Sequence, residues 1–228
     1  MRRIFSSTHS AEAESTRNFW RRWLAALGLT ATCFLAIAYS VKAGGPISRM
    51  DQWEVLRSAP DTGWLTKAVG AVSWLHSTVG LVALSTALAF WLVWRRKAKR
   101  DAASVVLAML GGGALNSALK AWIARPRPDG ADLLPNAYGY GFPSGHVMLA
   151  TILYGLALMY APSSPRSPVV RPALSLLVLA VIAVVATERV WSGAHYPSDT
   201  LAAVFAGVTW LSVVALANRL AAPSHPCT

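Results

Sequence analysis

The chain reads as long apolar runs separated by short polar or Pro/Gly-rich breaks. The runs occupy residues 23–41, 68–94, 102–123, 147–160, 173–187 and 200–217. Between them stand Gly44-Gly45-Pro46, the basic run Arg95-Arg96-Lys97-Ala98-Lys99-Arg100, and the turn-rich stretches 126–143, 162–172 and 193–197. A bilayer core about 30 Å thick is crossed by roughly 20 apolar residues in a helix. The pattern therefore predicts an all-α integral membrane bundle of six transmembrane helices. The fourth and fifth runs are short and are expected to begin or end inside the protein. Polar residues 1–18 are expected to form a flexible cytoplasmic tail, 19–220 a single membrane domain, and 221–228 a C-terminal tail. The first run is expected to remain as an uncleaved span, because Lys42 stands where a signal-peptide cleavage site would need small residues. Beyond it, Ile47, Met50, Trp53 and Leu56 recur every three residues. They fit either a short helix on the membrane surface or a loop with apolar anchors.

Composition sharpens this picture. Hydrophobic residues make up 54% and charged residues only 14%, against roughly 25% charged in an ordinary soluble domain. Yet 21 Lys and Arg face 10 Asp and Glu, a net charge of +11. So apolar a chain is not disordered. Nor does it match a nucleic-acid-binding domain, whose basic residues stud a polar surface. The two cysteines, Cys33 and Cys227, support neither a disulfide framework nor a cysteine-rich metal site. Basic residues orient membrane helices by staying in the cytoplasm. Arg17, Arg21 and Arg22, the dense cluster from Arg95 to Arg100, Arg166, Arg171 and Arg219 fall on one side. That places both termini in the cytoplasm. Trp20, Trp23, Trp64, Trp91, Trp94, Trp122 and Trp191 lie near run boundaries, as interfacial aromatics do.

The remaining basic residues sit on the outer side, and four are in unusual places. Lys120, Arg125 and Arg127 follow the third run, and Arg189 ends the fifth. Charges at such depth are costly unless paired, which makes them functional candidates; snorkelling to headgroups is the plain alternative for any one alone. Phe142-Pro143-Ser144-Gly145-His146 directly precedes the fourth run. Ser144 suits an N-cap, and the free N–H groups of a helix start suit an anion. Before the sixth run, His195 and Asp199 are four residues apart, with Pro197 at a first-turn position. A carboxylate on one imidazole nitrogen fixes the tautomer and leaves the other free as nucleophile or base. The six-run topology brings all three segments to the outer face. So many cations around one spot suit a phosphate group, which carries close to two negative charges and is matched by arginine forks and a lysine point charge.

Lys120-x6-Arg127-Pro128, Pro143-Ser144-Gly145-His146 and Arg189-x5-His195-x3-Asp199 together resemble the three-part signature of the type 2 phosphatidic acid phosphatase family. That family includes bacterial lipid phosphatases and is related to the vanadium haloperoxidases. The resemblance implies that His195 attacks phosphorus and forms a phosphohistidine, that Asp199 orients it, and that His146 protonates the leaving oxygen. It implies that Lys120, Arg127, Ser144 and Arg189 hold the phosphoryl oxygens, joined by the Gly145 N–H. The third motif usually opens with serine; Glu188 stands there instead, which bears on substrate preference.

The function expected is metal-independent hydrolysis of a lipid phosphate or diphosphate at the outer face of a bacterial inner membrane, without a cofactor. Candidate substrates are undecaprenyl diphosphate, phosphatidic acid, phosphatidylglycerol phosphate and a phosphorylated lipid A. A lipid phosphotransferase on the same scaffold and a non-enzymatic anion or lipid transporter are the rival readings. Partners are lipids, not nucleic acid. Of the residues outside the motifs, Gly111-Gly112-Gly113 suits close helix packing, and Ser73 and His76 suit polar packing between helices. Arg125 is open between a phosphate contact and a headgroup anchor, and Tyr138 and Tyr140 are placed to line the mouth of the site.

Overall fold

The structure is a computed structural model that describes residues 2–51, 63–128, 139–161 and 169–221. Its elements, in chain order, are α1 (Arg2–Lys42), α2 (Pro46–Met50), α3 (Gly63–Leu75), α4 (Thr78–Arg96), α5 (Lys99–Ile123), α6 (Gly145–Tyr160), α7 (Val170–Trp191) and α8 (Pro197–Leu220). Among the described residues, five stretches are long and apolar enough to cross a membrane: Thr16–Lys42 within α1, then α4, α5, α7 and α8. At 16 residues, α6 is only about 24 Å long. Four of the apolar runs thus become long helices, and the fourth is short, as its sequence predicts.

The polar segment 2–18 continues helix α1. Two expectations change. The fifth run extends over 22 residues as α7, because helical backbone continues through Glu188 and Arg189. The second run is not one helix: it breaks at His76 and Ser77 into α3 and α4. Ser77 caps α4 by accepting a hydrogen bond from the Gly80 N–H at 3.2 Å. A Cβ at Gly80 would lie 2.0 Å from the Leu75 carbonyl oxygen, so this tight corner requires glycine. His76 is buried at the corner and bridges the Val72 carbonyl to the Tyr154 hydroxyl of α6. These contacts are the polar packing between helices that its sequence position suits. Of the surface-helix pattern, Ile47 and Met50 lie in α2, whereas Trp53 and Leu56 fall outside the described residues.

The bundle is arranged around α6. Val147, Met148, Ala150, Ile152 and Leu156 are fully buried, enclosed by α4, α5, α7 and α8. Gly207 of α8 lets the two helices approach: a Cβ there would lie 2.8 Å from Thr151 Cβ. The outer surface is apolar, with Leu107, Leu110 and Leu176 exposed, while Asp51, Asn116, Glu188, Arg189, His195 and Asp199 are buried. Lipid outside and paired polar groups inside is the arrangement a bilayer selects.

Candidate active site

The site forms where α5 and α7 end and α6 and α8 begin. Helix α5 stops because Ala124 turns into the left-handed region at φ 53°, with its N–H on the Lys120 carbonyl at 2.8 Å. That conformation costs an L-residue about 1–2 kcal/mol, and it swings 125–127 back across the bundle end. Two bonds fasten the next segment: the Gly141 N–H on the Arg125 carbonyl at 2.8 Å, and Asn116 Nδ2 on the Pro143 carbonyl at 3.4 Å. The Ser144 N–H reaches the Asp199 carbonyl at 3.1 Å, so the starts of α6 and α8 are tied directly. Asp199 sits in the first turn of α8, and the His195 N–H bonds the Arg189 carbonyl at 3.1 Å.

This framework gathers the sequence-predicted residues. His195 is buried, and its Nδ1 faces Asp199 Oδ2 at 3.5 Å, a charge contact longer than an ordinary hydrogen bond. Asp199 Oδ2 also accepts the Tyr196 N–H at 2.9 Å. The other ring nitrogen, Nε2, lies 3.2 Å from an Arg127 guanidinium nitrogen. With a carboxylate at Nδ1 and an obligate donor at Nε2, the neutral tautomer carries its proton on Nδ1. The charges of Arg189, Lys120 and Arg127 all act on His146, as does His195, so all three motifs are electrostatically linked. His195 precedes α8 instead of lying in its first turn, yet the pairing with Asp199 forms.

Burial holds the His195 imidazole below its ordinary value, opposed by Asp199 and reinforced by Arg127 and Lys120. The ring is therefore neutral near pH 7. Burial likewise lowers Arg127, opposed by Asp199 and reinforced by Arg189. Both shifts come chiefly from burial, with the Asp199 carboxylate as the main opposing charge.

The donors on the Nε2 side reach carbonyls. Lys120 Nζ donates to Tyr140 O at 2.7 Å, and Arg127 donates to Gly139 O at 3.1 Å and Ala194 O at 3.0 Å. Ser144 stands at the N-cap position of α6, but its hydroxyl makes no capping bond. Fully buried, Ser144 Oγ has no hydrogen-bond partner among the described residues. Buried hydroxyls are rarely left so. This one stands at the N-terminal end of α6, where helix N–H groups point outward, a chemistry that suits an anion. Tyr140 is exposed at the mouth; Tyr138 lies outside the described residues.

Two arginines behave differently from Arg127. Arg189 is buried and pairs with the Glu188 carboxylate next to it, and it also donates to Ser73 Oγ of α3. Glu188, the departure in the third motif, thus occupies a phosphate-motif arginine, and Ser73 joins the site through it. Arg125 turns away from the Nε2 side. Its guanidinium donates to Asp199 Oδ1 at 2.7 Å, Ser198 Oγ at 2.8 Å and Asp51 Oδ2 at 2.8 Å, and lies 4.1 Å above the Tyr196 ring. Asp51 is the site residue that motif reading does not find. It accepts the Ser198 N–H at 3.1 Å and the Ser198 hydroxyl at 2.5 Å. Only its position in a first loop otherwise rich in basic residues marks it in the sequence. Among the described residues, no cluster of His, Cys, Asp and Glu is arranged to hold a metal ion.

Fold and site together define a helical membrane protein with a buried histidine and several cationic side chains gathered where α5 and α7 end and α6 and α8 begin. The chain belongs to the PAP2 superfamily, whose family model matches residues 101–221, and it is a lipid phosphate hydrolase. It is 29% identical over 139 residues to phosphatidylglycerophosphatase B of Bacillus subtilis (strain 168), covering 60% of this chain and 68% of that protein. Its fold matches the crystal structure of a transmembrane PAP2-type phosphatidylglycerolphosphate phosphatase from Bacillus subtilis, with TM-score 0.73 and 23% identity over 86% of this chain and 97% of that one. The crystal structure of Aquifex aeolicus LpxE is a further fold match, with TM-score 0.54 and 18% identity over 74% of this chain and 94% of that one.

Proposed function

We propose that the protein removes a terminal phosphate from a lipid by way of a phosphohistidine on His195. The observation that carries this reading is the two-sided environment of His195: a carboxylate at Nδ1 and the Arg127 guanidinium at Nε2, in a site that also holds the buried Ser144 hydroxyl, without a partner among the described residues. A phosphate seated there has its oxygens against Lys120, Arg127, Arg189, Ser144 Oγ and the Gly145 N–H. Nε2 attacks phosphorus as the bond to the lipid oxygen breaks, and His146 gives that oxygen a proton. Asp199 stabilises the positive charge that the imidazole gains. Water then attacks the phosphohistidine, returning its proton to His146 and releasing inorganic phosphate. The cations stabilise the equatorial charge of each transition state, work that elsewhere falls to metal ions.

The chain's own architecture favours a lipid as the carrier. An apolar groove of about 480 Å³ lies between α1 and the end of α5, lined by Leu35, Ala38, Tyr39, Trp122 and Ile123, with Lys42 at its rim. Trp122 and Ile123 lie two and three residues after Lys120 in α5, so an apolar tail has a place near the cation cluster. We place α6 as a sixth, short span, both termini in the cytoplasm and the site at the outer face of a bacterial inner membrane. A short α6 sets the phosphate cradle below the headgroup level, which suits a substrate arriving sideways from the bilayer. Phosphatidylglycerol phosphate heads the candidates, in keeping with the similarity to phosphatidylglycerophosphatase B; phosphatidic acid and undecaprenyl diphosphate follow.

A panel of these lipids, assayed in detergent with wild type and His195→Ala, tests the reading. Release of inorganic phosphate by wild type alone, undiminished by EDTA, is expected. Full activity in His195→Ala overturns the mechanism. Label passed to a second lipid with little free phosphate overturns hydrolysis in favour of transfer.

A further inference from the structure

Arg125 is surrounded by acceptors, not by space for a substrate. Its side chain is 10% exposed, and its guanidinium joins two carboxylates from distant parts of the chain, Asp51 and Asp199. Asp51 belongs to the segment that follows α2, and it also binds both the N–H and the hydroxyl of Ser198. The contacts form a continuous line: Asp51 to Arg125, Arg125 to Asp199 Oδ1, and Asp199 Oδ2 to His195 Nδ1. The Tyr196 ring closes one face of the guanidinium.

We infer that Asp51 and Arg125 are positioning residues that hold the Asp199 carboxylate ionised and aimed at His195, so that the first outer loop completes the catalytic end of α8. This rests on the proposed role of His195. Alone, a fully buried Asp199 would be costly as an anion and would compete to take the proton it is meant to stabilise. Arg125 answers its charge. Arg125 by itself would over-neutralise the carboxylate and weaken its pull on the imidazole. Asp51 restores the balance, and through Ser198 it fixes the register of the α8 start. Both terminal nitrogens of that fork are thereby committed to the buried network.

The test uses the full chain in detergent, with Asp51→Asn, Arg125→Gln, the double variant and His195→Ala assayed side by side on phosphatidic acid. Both single variants are expected to lower kcat about 10–100-fold, the range for residues that orient a reacting group, with KM unchanged. The double variant is expected to cost no more than Arg125→Gln alone. The acid limb of kcat supplies a readout that loss of structure does not mimic. Removing the Arg125 cation lets Asp199 pull harder on the His195 proton, so the limb moves to higher pH. Removing the Asp51 anion leaves Arg125 more tightly on Asp199, so the limb moves to lower pH. The other charges facing this pair, Lys120, Arg127, His146 and Arg189, are the same in all these variants. Wild-type kcat in folded Arg125→Gln, or a raised KM with kcat intact, overturns the inference and makes Arg125 a substrate contact or a bystander. Should Arg125→Gln not fold, Asp51→Asn and Ser198→Ala carry the test, and unchanged kcat in both overturns it. An active His195→Ala would instead remove the reading on which the inference stands.

Discussion

On the Nδ1 side of His195, Asp199, Arg125, Ser198 and Asp51 interlock, and each charge meets an opposite one at 2.7–2.8 Å. On the Nε2 side, Lys120 and Arg127 point their donors at carbonyls, and the Ser144 hydroxyl meets no partner among the described residues. The first side is closed by side chains bonded to one another. The second keeps its lysine and arginine donors on backbone carbonyls beside that hydroxyl. The difference shows how one buried cluster divides its work: side chains locked on one another fix geometry, and donors resting on backbone are the ones proposed to bind. Arg125 and Arg127 make the contrast at a separation of two residues, since backbone direction alone sends one fork into each side.

Variants on the two sides should therefore fail in different ways. The largest effect belongs to the residue they share. His195→Ala is expected to lower kcat by about 10⁴-fold or more, the scale of losing a nucleophile; kcat on phosphatidic acid in a folded variant checks it. Next, His146→Ala should cost about 10²–10⁴-fold. The loss should shrink on p-nitrophenyl phosphate, whose leaving group needs no proton, and equal losses on both substrates would remove the general-acid role. Arg127→Ala should reduce kcat/KM by about 10²–10³-fold, as removal of an oxyanion donor does. Unlike the Nδ1-side variants, it should raise KM and weaken vanadate inhibition. The smallest effect is on pH dependence. Burial lowers the His195 pKa, so the neutral nucleophile persists down through its ordinary value near 6.5. The acid limb of kcat is expected below that value, and a limb above it would mean that the imidazole is charged at rest.

Much of this was readable from the chain. The positions of the apolar runs gave the order of the helices, since lipid leaves a helix few alternatives, whereas run length misjudged the second and fifth. The motif residues met as their spacing implied, because topology brings the ends of α5 and α7 to the starts of α6 and α8. What the sequence hid depends on distant or conformational detail. Asp51 lies 147 residues from Ser198, and Arg125 lies 74 from Asp199; no local pattern links either pair. The break between α3 and α4 did leave a signal in Ser77 and Gly80, a cap and a tight corner, but an apolar run conceals it. The pairing of Glu188 with Arg189 was hidden for another reason. Neighbours on a helix normally diverge, and these two meet only because Arg189 folds its fork back.

The central claim is that phosphate passes through His195. Enzyme mixed with phosphatidic acid carrying a radiolabelled phosphate, and quenched in base within a turnover, isolates that step. The account expects base-stable, acid-labile label on the peptide containing residue 195 in wild type and none in His195→Ala. Rapid turnover with no covalent phosphate, or label on another residue, would contradict it.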